Sequence, residues 1–300
     1  MATIVIAGLI NIETTIQVEG FPIAYSPVRY PFFGVRSTVA GVGYNVARAL
    51  TTLGHDVRLV SLIGTDLAGA MVARQLAADG IAAEYVLPAL AATPQSAILY
   101  DSAGRRQINT DLKDIQERAY PPEQFERAAA GADLAVLCNI NFARPLLAAA
   151  RRRGLPIATD VHAIDTINDA YNHDYMAAAE ILFMSHERLP CAPEAWVQQV
   201  YAHYPAPIVV VGLGAEGALL AVRPAGFIGR LPAAHIRPVV NTIGAGDALF
   251  AAFVHGYAAG LGAYAALERA ITFASYKIGA VGAAEGFLDA AALEALHQHC

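Results

Sequence analysis

Lysine, charge and cysteine are all scarce in this sequence. Its 20 basic residues include only two lysines, Lys113 and Lys277, and its one basic block is Arg151–Arg153. With a net charge of −6, this excludes nucleic acid as the expected partner. Charged residues make up 15% of the 300, and the mean hydropathy is +0.41. Even so, no stretch reaches the roughly 18 unbroken apolar residues of a membrane helix. The best run, Pro207 to Val222, is interrupted by Gly212, Gly214, Glu216 and Gly217. About a fifth of the chain is alanine, which spreads the hydrophobicity thinly. The three cysteines, Cys138, Cys191 and Cys300, are too few for a disulfide framework, and a reduced cytoplasmic setting fits them. The opening MATIVIAGL has no basic segment, so a signal peptide is not expected. Repeats, low-complexity linkers and a G-x-x-x-x-G-K-[ST] phosphate loop are all missing. An acidic chain of this kind must bind any polyanion without a basic surface.

What is present alternates. Ile4–Ala7, Val57–Ile63, Leu134–Cys138, Ile157–Thr159, Ile181–Met184, Ile208–Val211 and Ala218–Val222 read as short buried strands. Asn45–Leu53, stopped by Gly54, and Leu67–Ala78, stopped by Asp79-Gly80, read as helices, and the chain after Asp247 is mostly helical. Arg151–Arg153 before Gly154 suits a helix C-terminus. This alternation predicts an α/β fold around a largely parallel sheet. Two segments do not suit a doubly wound core. Phe21–Gly34 is rich in proline and aromatics, and Ala97–Thr110 reads as a hairpin about Ser102-Ala103-Gly104. A small β lid over one end of the sheet accommodates both; two long surface loops are the alternative.

The stretch VVNTIGAGDALFAAFVHGY, Val239–Tyr257, carries the most chemistry. A strand at Pro238–Val240 is expected to enter Gly244-Ala245-Gly246, with Asp247 opening an apolar helix. Glycines permit a tight turn and close approach to a ligand. A helix start offers free N–H groups at the positive end of its dipole, which suits a phosphate without lysine or arginine. Asp247 is then placed to take a proton from a hydroxyl attacking that phosphate, or is simply an N-cap. Gly212-Leu213-Gly214-Ala215-Glu216-Gly217 is a literal G-x-G-x-x-G, but a strand-like run follows it and no acid stands in Pro232–Ile236, so a dinucleotide site is not expected. Ser185-His186-Glu187 is no triad, because neighbours in a strand face opposite ways. Asp160, His162 and Asp165 match no familiar metal spacing. Arg105 and Arg106 sit within Ala97–Thr110 and read either as reaching substrate or as a plain exposed turn.

NTIGAGDALFAAF resembles the C-terminal signature of the ribokinase-like (PfkB) carbohydrate and nucleoside kinases, D-T-x-G-A-G-D followed by a helix. The resemblance implies that Asp247 is the catalytic base and that the Gly244, Ala245 and Gly246 backbone forms an anion hole. Asn241 replaces the first Asp, where many members bind a monovalent cation nearby, so cation dependence is in question and Lys277 is a candidate substitute charge. VAGVGYNVA, with Gly41, Gly43 and Asn45, is similar to the family's substrate-side G-G-x-x-x-N-x-A, with Ala40 for the first glycine. Asn11 and Glu13 stand where members carry N-x-D for substrate hydroxyls, and Asp160 fits a further position beside the site. On the nucleotide side, Gly212, Gly214 and Gly217 resemble T-x-G-x-x-G with glycine for threonine. Ser185 and Glu187 poorly match N-x-x-E, and Ser275 stands for the Asn of F-A-N.

The resemblance thus implies a single three-layer α/β/α kinase domain over residues 1–300, with a mostly parallel central sheet and lid segments at roughly 12–38 and 95–112. It implies transfer of the ATP γ-phosphoryl group to a primary hydroxyl of a sugar or nucleoside, with Mg²⁺ arriving on ATP and water rather than on direct protein ligands. Aromatics at Phe21, Tyr25, Tyr30, Phe32 and Phe33 suit either base stacking or a homodimer through the lid. A sugar-binding protein that has lost kinase activity is the alternative reading.

Overall fold

The computed structural model describes residues 1–102 and 105–299. In chain order the elements are β1 (Thr3–Ala7), β2 (Asn11–Gln17), β3 (Val35–Ala40), α1 (Val42–Thr52), β4 (Asp56–Gly64), α2 (Leu67–Ala78), β5 (Val86–Leu90), β6 (Gln95–Tyr100), β7 (Arg106–Asp111), α3 (Pro122–Ala128), β8 (Leu134–Leu137), α4 (Arg144–Arg152), β9 (Ile157–Ala163), α5 (His173–Ala178), β10 (Ile181–Ser185), α6 (Pro193–His203), β11 (Ile208–Gly212), β12 (Ala218–Val222), β13 (Phe227–Leu231), α7 (Ala245–Ala258), α8 (Ala263–Lys277) and α9 (Ala290–His297).

The main sheet runs β13-β12-β11-β10-β9-β8-β1-β4-β5. From β5 to β11 every pairing is parallel; β12 and β13 are antiparallel at one edge. Its central strands are apolar on both faces because helices cover both. Ile4 and Ile6 pack in a cluster with α1, α2, α7, α8 and α9, whereas Val5 and Ala7 pack with α3, α4, α5 and α6 on the other face. Alanines such as Ala248, Ala251 and Ala252 are fully buried, so the alanine content serves close helix packing. Among the described residues no helix is long and apolar enough to cross a membrane.

A second sheet, β3-β2-β6-β7, forms the lid. Of the two segments that broke the alternation, Ala97–Thr110 overlaps β6 and β7, whereas Phe21–Gly34 contains no strand and is an irregular excursion between β2 and β3. The hairpin expected after Ala97 is β6 paired antiparallel with β7. Ala103 and Gly104 of its turn, and Cys300, lie outside the described residues; Cys138 and Cys191 are free thiols.

Three local expectations are corrected. Pro238–Val240 is not a strand: Val239 and Val240 are exposed, and the Val240 and Asn241 N–H groups donate to the Ile278 carbonyl beyond α8 rather than to a neighbouring strand. Helix α1 begins at Val42 rather than Asn45, because Gly41 caps it. The α7 helix likewise starts at Ala245, ahead of Asp247. The G-x-G-x-x-G stretch leads through a short 3₁₀ turn into antiparallel β12, not into a helix. Helix α4 ends as its arginines implied, with Gly154 at φ +70°.

Candidate active site

Parallel strands β1, β9, β10 and β11 end on the same side of the sheet, and the lid stands over those ends. Between them lies a cleft of about 910 Å³. Its centre is the start of α7. Gly244 sits at φ +74°, and a Cβ there would lie 2.4 Å from the Ala283 carbonyl oxygen, so only glycine fits this turn. Asp247 is therefore the third helical residue, and the helix has no side-chain cap. The N-cap reading of Asp247 fails on that geometry.

Freed from capping, the Asp247 carboxylate accepts a hydrogen bond from Asn45 Nδ2 at 2.6 Å. Burial lifts its pKa above the ordinary value; the Asn45 bond and nearby His162 and Lys277 oppose that, while Asp160 adds to it. The Ala245 N–H is engaged by the Thr242 carbonyl at 3.2 Å. Among the described residues, the N–H groups of Gly246 and Asp247 meet no acceptor. Two unused donors at a helix N-terminus suit an anion, and the carboxylate beside them suits a donor hydroxyl.

On the lid side, buried Asn11 donates from Nδ2 to Ser96 Oγ at 2.7 Å, and Ser96 donates on to Thr110 Oγ1 at 3.2 Å. The Oδ1 atoms of Asn11 and Asn45 are buried without a partner. A buried acceptor left unsatisfied costs roughly 1–3 kcal/mol, which a ligand hydroxyl would recover. Glu13 is also buried; burial and the neighbouring Asp247 push its pKa up to about 7, with Lys277 pulling the other way. Gly41 lines the same wall. Gly43 does not: a Cβ there would lie 2.5 Å from the Gly8 carbonyl carbon, so its glycine serves the packing of α1 on the chain leaving β1.

Asp160, Ser185, Glu187, Gly212, Gly214, Gly217 and Ser275 all line the cleft. Ser185 Oγ accepts from the Glu187 N–H at 3.2 Å, and Arg188 turns outward to Asp165, so Glu187 is the charged residue of that loop that faces inward. Asp160 accepts from the His162 N–H at 2.8 Å, holding His162 at φ +58°, a conformation that L residues seldom adopt. Among the described residues no group of three or more His, Cys, Asp or Glu is arranged to hold a metal ion.

Three further side chains, Arg106, His162 and Lys277, stand in or behind the cleft. Arg106, which the sequence left between an exposed turn and a reach toward substrate, lines the cleft together with Ile108 and Thr110, following the period-two alternation of β7. His162 was considered only as a metal ligand. Lys277 is fully buried, and its Nζ donates to the Ile243 carbonyl just ahead of the Gly244 turn. Burial lowers its pKa to about 8, against the pull of Asp247, Glu13 and Glu285. Asn241 braces the same loop, donating to the Val281 carbonyl at 3.1 Å and accepting from the Ile243 N–H at 2.8 Å.

The sequence model of the pfkB family carbohydrate kinases matches residues 1–290. An acarbose 7(IV)-phosphotransferase of Actinoplanes sp. is 26% identical over 292 residues, covering 97% of this chain and 96% of that protein. An ATP-dependent ribose-1-phosphate kinase of Halopiger xanaduensis is 28% identical over 258 residues, covering 85% and 84% respectively. Among solved structures, a microbiome-derived acarbose kinase superposes with a TM-score of 0.89 at 26% identity, covering 99% of both chains.

Proposed function

This chain belongs to the pfkB family of carbohydrate kinases, and we propose that it transfers the γ-phosphoryl group of ATP to a primary hydroxyl of a sugar or nucleoside. The observation that carries this reading is the pairing of Asp247 with the unused N–H groups of Gly246 and Asp247 at the start of α7. The acceptor hydroxyl gives its proton to Asp247. A bond forms from that oxygen to the γ-phosphorus while the bond to the β–γ bridging oxygen breaks, and ADP leaves. The Gly244–Gly246 turn and the helix start stabilise charge on the moving group, which explains how an acidic chain manages a polyanion.

Asn11, Glu13, Gly41, Asn45 and Asp160 then hold the acceptor. Their free or partly free oxygens suit a ligand rich in hydroxyl donors, and the relatives named for acarbose and ribose-1-phosphate support a saccharide. Ser185, Glu187, Gly212, Gly214, Gly217 and Ser275 face the nucleotide. Mg²⁺ binds chiefly through substrate phosphates and water, with one or two carboxylates, and Glu187 beside Ser185 is a fitting carboxylate; the ion would neutralise the phosphates. The Lys277 ammonium supplies a fixed positive charge behind the anion pocket, in place of a bound monovalent cation. The lid segment offers a second copy of the chain an apolar surface, with Tyr25, Tyr30, Phe32 and Phe33 all more than three-quarters exposed.

ADP release measured across pentoses, hexoses, nucleosides and oligosaccharides tests the reading. One class should raise the rate well above that with ATP alone. A flat response to every acceptor would overturn it.

A further inference from the structure

The cleft carries four carboxylates, Glu13, Asp160, Glu187 and Asp247, but among its described lining residues Arg106 is the one lysine or arginine. Arg106 is the first residue of β7, so it belongs to the lid. Its neighbour Arg105 is fixed to the Asp101 carboxylate and stacks over Phe21, which anchors that end of the hairpin. Arg106 points the opposite way, across the cleft to the main sheet. There Nη1 donates to Thr242 Oγ1 at 3.2 Å, on the loop leading into the Gly244 turn, and Nη2 lies 3.8 Å from Glu187 Oε1 on the nucleotide side. One guanidinium therefore spans the gap between the nucleotide wall and the anion pocket.

These contacts are weak for an arginine. One is to a neutral hydroxyl and the other is longer than a hydrogen bond, although the guanidinium has five N–H donors in a planar fork. A phosphoryl group between Glu187 and Gly246 would offer it charged oxygens in a geometry that the fork matches.

We propose that Arg106 is a catalytic residue delivered by the lid, its guanidinium contacting the phosphoryl group in transfer opposite the α7 N-terminus. This rests on the reading of the cleft as a phosphoryl-transfer site. Lid closure thereby completes the charge around the reacting centre, so that ATP meets its full complement of donors only when the lid is down over an acceptor.

The test compares wild type, Arg106→Ala, Arg106→Gln and Arg106→Lys for melting temperature, affinities for ATP and acceptor, and kcat. Arg106→Ala should keep its melting temperature and bind both ligands nearly as wild type, yet lose roughly 10³-fold in kcat, the scale of a phosphoryl-stabilising arginine. If the alanine variant melts early, the glutamine variant, which keeps most of the volume, should show the same loss. Arg106→Lys should recover only a small part, since an ammonium lacks the fork. Added methylguanidinium should restore turnover to Arg106→Ala. Near-normal kcat in the variants, or a loss confined to acceptor KM without rescue, would overturn the assignment while leaving the kinase reading intact. Absence of acceptor-dependent ADP from wild type would overturn both.

Discussion

Glu13 ties the stability of the fold to pH through a single buried carboxyl. Its folded pKa, about 7, lies above the unfolded value of 4.5, so the folded state holds a proton that the unfolded chain releases across that interval. The stabilisation this gives is complete below about pH 4.5 and is lost as pH rises through 7. At pH 8 the ionised carboxylate costs the fold roughly 3 kcal/mol. Glu13→Gln should therefore melt higher than wild type at pH 8 and about the same at pH 4, while its acceptor KM rises because an amide offers one acceptor oxygen instead of two. Equal melting temperatures at both pH values would contradict the burial argument. At this scale the motifs pointed to residues that the fold brings together, such as Asp247 and Asn45. Which of Arg105 and Arg106 faces the cleft was not readable, because it depends on the register of β7 against β6.

The loop from Val240 to Gly246 belongs to α8 as much as to α7. Ile278, Val281 and Lys277 all bind it, and the Lys277 ammonium fixes the Ile243 carbonyl. Lys277→Met should displace the anion pocket and lower kcat by roughly 10²-fold, comparable to losing one anion-hole donor. Wild-type turnover should be indifferent to K⁺ at constant ionic strength. It should also fall as pH rises through about 8, where the amine loses its proton. Clear stimulation by KCl over tetramethylammonium chloride would contradict this. Helices and strands were legible wherever apolar periodicity met a stop signal, as in Leu67–Ala78 and Ala218–Val222. They were misread where tertiary contacts decide the outcome. Pro238–Val240 looks extended but has no strand beside it, and β5 and β13 are interrupted by Pro88 and Gly229.

Across the whole molecule, strand–helix alternation was enough to indicate a parallel sheet covered on both faces; of the two misfit segments, Ala97–Thr110 marked the lid hairpin, whereas Phe21–Gly34 is an excursion between two lid strands. Which face of the lid meets the cleft was not readable, since it depends on long-range pairing of β2 with β6. The outer lid aromatics lead to a further expectation. Replacing Tyr30, Phe32 and Phe33 together by serine should shift a dimeric species to monomer in sedimentation velocity; an unchanged sedimentation coefficient would remove the lid as the interface. The proposed kinase activity stands on Asp247 as the proton acceptor at a backbone anion pocket. Its most direct test is acceptor-dependent ADP formation by wild type and Asp247→Asn, with ligand affinities measured on both. Asparagine should bind ATP and acceptor much as aspartate does while forming ADP roughly 10³-fold more slowly or worse. Retained turnover in Asp247→Asn, or a wild-type protein that binds sugar yet releases no ADP, would contradict it.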